Sequence, residues 1–202
     1  MVEDNLKLTI DSYNQNAKGY ADYYFGRNVM GKSIEKFISL LPHTGFILDA
    51  GCGPGQDSYF FYSKGYNVIG IDLSENMIQE ARKRGSGVEF IQRDMREDWF
   101  KMHSSFMGVW CCASLLHLNS NDANIVLLNF YNLLAPKGIL FLSVIQGKGE
   151  ILRTEKRPFG TLSRYMKLYE IDEFVGLLSR SNFSVLEVKD NGFWLSCYAK
   201  RI

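Results

Sequence analysis

A short apolar run, an acid and three glycines at alternate positions stand together at Ile47-Leu48-Asp49-Ala50-Gly51-Cys52-Gly53-Pro54-Gly55. A buried strand that ends in such a loop leaves bare backbone for a ligand to lie against, because no side chain blocks its approach. Residues 56–64 read as a helix, so the element is strand, glycine loop, helix, a common way to hold a nucleotide-like ligand. Spacing narrows the ligand. A dinucleotide fold places a third glycine three residues after the second, where helix and strand pack closely, and Gln56 occupies that position. Asp72 closes the next apolar run. A carboxylate there presents two oxygens to a vicinal diol, a device NAD enzymes also use. Its other reading is an acid paired with a helix N-terminus. His117 is the one titratable side chain of residues 113–118, and an imidazole titrates near neutrality.

On residues 48–55, which read LDAGCGPG, the chain resembles the class I S-adenosylmethionine-dependent methyltransferases of the small single-domain type. The resemblance runs from about residue 13 to about residue 200. It implies S-adenosyl-L-methionine as cofactor, with Gly51, Cys52, Gly53 and Gly55 cradling its methionine part and Asp49 orienting its ammonium. It also implies Asp72 on the ribose hydroxyls, Leu73 and Met77 on the adenine faces, Asp94 on the exocyclic adenine amine and the Met95 backbone on a ring nitrogen. Ala113 and Ser114 would lie near the methionine part, Leu115 near sugar or adenine, and Tyr20 near the methionine carboxylate. Plain helix packing is the other reading of Met77, and a surface loop acid that of Asp94. His117 is either a catalytic base or a structural histidine holding its loop. The family often has an acid after the Phe that opens strand 4, where this chain has Met107.

Methyl transfer from a sulfonium asks for alignment and exclusion of water. The lack of an evident acid–base pair therefore does not count against it, although a hydroxyl or amine acceptor needs a base. A small-molecule acceptor is the leading expectation. A tRNA wobble-uridine methyltransferase is the alternative, loosely resembled by residues 183–194, and a non-catalytic cofactor-binding partner subunit is another. The net charge of +1 lacks the basic footprint of an RNA binder. The intact acids and glycines argue against a decayed site, and Gln56 argues against an NAD oxidoreductase.

The elements that must position these residues follow from pattern. With 202 residues, one domain is expected. Apolar runs at 46–50, 66–71, 88–91, 106–113, 139–145, 183–188 and 192–199 predict seven strands. Helices are expected at 56–64, 75–83, 121–134 and 169–181, with Ser74 capping the second of these. Alternating strands and helices predict an α/β, Rossmann-like doubly wound seven-stranded sheet, helices on both faces. The closing 190–192 turn signals a hairpin and a reversed last strand. Residues 1–41 carry helical spacing and are expected to form an N-terminal lid. Residues 146–167 read as an irregular, basic substrate-side insert holding Lys148, Arg153, Lys156, Arg157, Arg164 and Tyr165. The four cysteines lack metal-type spacing and read as buried small hydrophobes in a reducing compartment. The polar, acidic start and the lack of a membrane-length apolar run lead to the expectation of a soluble cytoplasmic protein.

Overall fold

The computed structural model of the chain describes every residue except 1, 28, 43–44, 85–86 and 99–105, and only the backbone of residues 2–4. Two helices lead, α1 (Val2–Tyr24) and α2 (Gly31–Leu40). The alternating part follows: β1 (Phe46–Ala50), α3 (Gln56–Ser63), β2 (Asn67–Asp72), α4 (Glu75–Arg84), β3 (Glu89–Gln92), β4 (Phe106–Cys112), α5 (Ser120–Leu133) and β5 (Leu134–Ile145). Then come β6 (Glu150–Arg157), β7 (Gly160–Lys167), α6 (Ile171–Arg180), β8 (Phe183–Asp190) and β9 (Trp194–Arg201).

Seven strands form one sheet in the order β3-β2-β1-β4-β5-β9-β8. Pairs within β1 to β5 are parallel, and β9 runs antiparallel to both its neighbours. The expected seven-stranded, doubly wound sheet with a reversed last strand is therefore present. Period-two alternation explains why both faces are covered. Ile47, Trp110, Ile139 and Phe141 face α2 and α3, packing with Ile34, Phe37 and Phe61. Their neighbours Leu48, Val109, Cys111, Leu140 and Leu142 face the opposite layer, with Val126 and Phe130 of α5 and Phe174 and Leu178 of α6. Trp110 stacks on Phe141 with ring centroids 3.8 Å apart and planes 10° apart. Such a pair contributes about 0.5–1.5 kcal/mol beyond its area burial.

Two details depart from the pattern. β5 begins at Leu134, not after the 136–138 turn, because its pairing with β4 shifts register there and Lys137 takes φ +66°. Residues 146–167 are not irregular. They form a regular antiparallel hairpin, β6 on β7, closed by a two-residue turn at Pro158 and Phe159. Its outer strand is largely exposed, so no apolar alternation marks it.

The hairpin is stitched to α1. Thr9, Ser12 and Asn16 recur at helical spacing on one face, and each meets the free edge of β7. Tyr165 N–H donates to Thr9 Oγ1 at 2.9 Å, Ser163 N–H to Ser12 Oγ at 2.8 Å, and Asn16 Nδ2 donates to the Thr161 carbonyl at 3.0 Å. Helix side chains thus satisfy an edge that would otherwise expose unpaired backbone. On its other side α1 is fastened to α4. Asn14 Oδ1 accepts from Ser74 Oγ at 2.7 Å, Asn76 Nδ2 donates to the Asn14 carbonyl at 3.0 Å, and Arg84 pairs with Asp22. α1 therefore bridges the nucleotide-type half of the sheet and the hairpin.

Candidate functional site

The order of strands reverses between β1 and β4, and the loops after the parallel strands open on the carboxyl edge there, where such sheets bind ligands. A cavity of about 770 Å³ lies at this place, walled by the loops after β1 to β4, by α1 and by the hairpin. It is large enough for a nucleoside-sized ligand and a second small molecule.

Its floor is the glycine loop. Gly53 takes φ +54°, and a Cβ built on it would meet nothing within 4 Å, so the space a side chain would fill is open cavity. The other two glycines do different work. A Cβ on Gly51 would lie 2.0 Å from Ser114 Oγ, and one on Gly55 would lie 2.6 Å from the Phe90 ring. Gly51 lets β1 and β4 loops meet, and Gly55 closes the packing of α3 on β3, the duty expected of a glycine at position 56.

Asp72 ends β2 beside this loop. Its carboxylate accepts from Gly53 N–H at 2.9 Å and from Ser74 N–H at 2.8 Å. Burial pushes its carboxyl above the ordinary range, against the pull of those N–H groups. Each oxygen keeps a lone pair for a further donor. Ser74 Oγ accepts from Met77 N–H at 3.2 Å, which caps α4 as expected.

Asp49 is buried and accepts from Ser58 Oγ at 2.5 Å. Burial, then the nearby Asp57 charge, holds its carboxyl well above the usual range. Asp57 accepts from Trp110 Nε1 at 2.9 Å, and burial raises it to about 6. Two acids in one dry corner disfavour double ionisation, so the corner is suited to a cation. Gln56 also lines the cavity, and its Oε1 is buried without a partner among the described residues. A buried acceptor left so costs about 1–3 kcal/mol, a cost that a donor on a ligand removes.

The other expected residues divide. Tyr20, Cys52, Leu73, Met77, Asp94, Met95, Ala113 and His117 line the cavity, as do Asp49, Gly51, Gly53 and Asp72. Gly55 and Leu115 do not: Leu115 is fully buried in the core under α5, and Leu116 takes the wall position instead. Asp94 lines the wall but is held by Arg96, whose Nε lies 2.9 Å and Nη2 2.6 Å from Asp94 Oδ2. A ligand amine must share that carboxylate. Ala113 takes φ +52°, an uncommon state for a residue with a Cβ, and its N–H donates to Ser143 Oγ at 2.9 Å.

His117 is enclosed. Its Nδ1 lies 2.7 Å from the Tyr165 carbonyl, which can only accept, so Nδ1 carries the proton. Nε2 is then an acceptor, 3.1 Å from the Tyr13 hydroxyl. Desolvation lowers the imidazole to about 4, so it is neutral at physiological pH. The sequence pattern gives Asp57 and Ser143 no site role and gives Tyr13 only a place in the lid helix. Their partners lie on other elements, and no local spacing announces them.

Among the described residues no helix is long and apolar enough to cross a membrane, and no group of His, Cys, Asp and Glu is placed to hold a metal ion.

Residues 47–138 match the family described as "Methyltransferase domain". YqeM of Bacillus subtilis, which carries a provisional methyltransferase name, is 39% identical over 113 residues, covering 52% of this chain and 44% of that protein. A malonyl-[acyl-carrier protein] O-methyltransferase of Enterobacter lignolyticus is 31% identical over 121 residues, covering 56% of this chain and 45% of that protein. The chain thus spans about half the length of these curated relatives. Among solved structures, the Burkholderia thailandensis 1,6-didemethyltoxoflavin-N1-methyltransferase superposes with a TM-score of 0.77 at 19% identity, covering 100% of this chain and 90% of that one.

Proposed function

We propose that this chain is a class I S-adenosylmethionine-dependent methyltransferase, a reading its matched domain and its fold support, and that it transfers a methyl group to a small-molecule acceptor. The observation that carries the reading is the pairing of Gly53, facing open space at φ +54°, with Asp72, whose two oxygens are fixed by backbone N–H groups beside it. A bare-backbone cradle next to an oriented carboxylate suits a nucleoside with an amino-acid tail. S-adenosylmethionine supplies, when bound, a methyl group already activated on a sulfonium.

In this reading the chain's own groups bind and orient. Asp72 takes two ribose hydroxyls. Leu73 and Met77 supply the apolar wall for a flat ring, and Asp94 and Met95 its edge. Gly53 admits the tail, while Asp49, Asp57 and Gln56 offer acceptors for an ammonium. Ala113, strained and tethered to Ser143, presents backbone at the reacting end. His117 enters as a positioning residue. With both nitrogens engaged and a pKa of about 4, it holds the Tyr13 hydroxyl toward the cavity and ties the β4 loop to β7. α1 and the hairpin wall off the cavity, which favours a small acceptor over a polynucleotide. Relatives and neighbours named for small-molecule or carrier-bound acceptors support the same choice.

Isothermal titration with S-adenosylhomocysteine and with NAD tests the reading. One-to-one binding of the first and none of the second is expected. Binding of NAD instead, or of neither, rejects it.

A further inference from the structure

The hairpin gathers three positive charges around a single carboxylate among the described residues. On β6, Arg153, Glu155 and Arg157 alternate and therefore share one face. On β7, Arg164 stands directly across the ladder from Arg153. All four side chains line the cavity, whereas Lys148 and Lys156, equally basic in the sequence, do not. Glu155 pairs with all three arginines: 2.6 Å to Arg153, 2.8 Å to Arg157 and 2.5 Å to Arg164. One carboxylate shared by three guanidiniums leaves this group with two surplus positive charges. Like charges directly opposed on a ladder destabilise it.

The inner member is incompletely bonded. The Arg164 side chain is only 13% exposed. One terminal nitrogen reaches Glu155 and the other contacts the Tyr13 hydroxyl at 3.4 Å. Its Nε is buried without a partner among the described residues. A guanidinium presents its donors as a fork that matches a carboxylate or a phosphate. The contact with Tyr13 places this fork beside the Tyr13–His117 pair, on the hairpin wall of the cavity.

Resting on the methyltransferase reading, we infer that the acceptor is an anion, carrying a carboxylate or phosphate held by Arg164 with Arg153 and Arg157. Glu155 keeps the arginines in place until that anion arrives.

The test titrates the full chain calorimetrically with phenyl phosphate, benzoate and benzyl alcohol, which share a ring and differ in charge. Each series is run with and without S-adenosylhomocysteine. At least one anion is expected to bind about tenfold or more tightly than the alcohol, as a charge-assisted fork should give. Preference for phenyl phosphate assigns a phosphoryl group, and parity or preference for benzoate assigns a carboxylate. Arg164→Met should level the series. Arg164→Lys, which keeps the charge and guards against a folding artefact, should restore part of it. Glu155→Gln, which removes the competing carboxylate, should tighten the anions about three- to tenfold. Equal binding of all three probes by the unsubstituted protein overturns the inference, and so does an anion preference that survives Arg164→Met. Failure of S-adenosylhomocysteine to bind refutes the methyltransferase reading, and the series without it still decides the anion pocket.

Discussion

Replacing Asp72 by asparagine is the most direct perturbation of the proposed ribose site, because the residue keeps its shape and loses its charge. In the native loop each carboxylate oxygen faces a backbone donor, Gly53 N–H at 2.9 Å and Ser74 N–H at 2.8 Å. An asparagine has one oxygen, so its amide nitrogen must face one of those donors. A buried donor left unsatisfied costs about 1–3 kcal/mol. Burial already raises the Asp72 carboxyl, so removing its charge recovers part of that cost. A net loss of about 1–2 kcal/mol follows, or roughly 2–8 °C in melting temperature for a domain of this size. For the ligand, one of two hydroxyl acceptors becomes a donor and the other loses its charge assistance. S-adenosylhomocysteine should then bind about 10- to 100-fold more weakly, equivalent to roughly 1.4–2.8 kcal/mol. Thermal melts followed by circular dichroism and isothermal titration measure the two effects separately. A lowered melting temperature with unchanged affinity would make Asp72 a loop tether only. No change in either quantity would refute the reasoning altogether.

Gly53→Val should abolish S-adenosylhomocysteine binding while leaving a folded domain, since the side chain enters open cavity and strains a left-handed residue by about 1–3 kcal/mol; normal binding by this variant removes the loop from the site. His117 carries a pH signature. Its folded pKa of about 4 lies below the ordinary 6.5, so below 6.5 the unfolded chain takes up a proton that the folded chain refuses. Its stability contribution is whole above that value and is lost as pH falls toward 4, by about 3 kcal/mol at full extent. The stability difference between the native chain and His117→Gln should therefore shrink between roughly pH 7 and pH 5, and a constant difference counts against the buried neutral imidazole. Hydrogen exchange should show residues 2–24 and 150–167 gaining protection together when S-adenosylhomocysteine binds, with the central strands unchanged; full protection of both segments beforehand would mean a preformed pocket.

The central sheet was legible because its signals are local. Runs such as Ile47-Leu48 and Val109-Trp110-Cys111 announce strands covered on both faces, and the strand ends that follow carry Gly53, Asp72 and Ala113 to one edge by topology alone. The hairpin was not legible. The sequence of β6, Glu150-Ile151-Leu152-Arg153-Thr154-Glu155-Lys156-Arg157, offers polar groups to both sides, and the edge of β7 is completed by Thr9, Ser12 and Asn16, about 150 positions earlier. The site divides in the same way. Residues whose expected duty depends on backbone position, such as Gly53 from the glycine spacing and Met95 from the family resemblance, line the cavity. Side chains whose duty depends on a distant partner do not announce it: Tyr13 on His117, Asp57 on Trp110, and the Arg96 grip on Asp94. Leu115 and Leu116 are neighbours of identical type, both buried in the core, and only the three-residue turn after β4 decides which of them also reaches the cavity.

The seam between α1 and β7 has a thermodynamic consequence. Because Thr9, Ser12 and Asn16 join helix to hairpin, and Asn14 and Asp22 join the same helix to α4, the two walls cannot be ordered independently. The work of immobilising them is a single quantity shared by whatever occupies the two halves of the cavity. If the walls gain order on binding, as the exchange experiment tests, the first molecule bears that entropy loss and the second meets walls already in place, which is positive cooperativity between molecules that need not touch. Linkage makes the effect reciprocal: the factor by which S-adenosylhomocysteine tightens phenyl phosphate must equal the factor by which phenyl phosphate tightens S-adenosylhomocysteine. Two titrations run in opposite order measure that factor twice, and a value of one in both would mean that the seam transmits nothing.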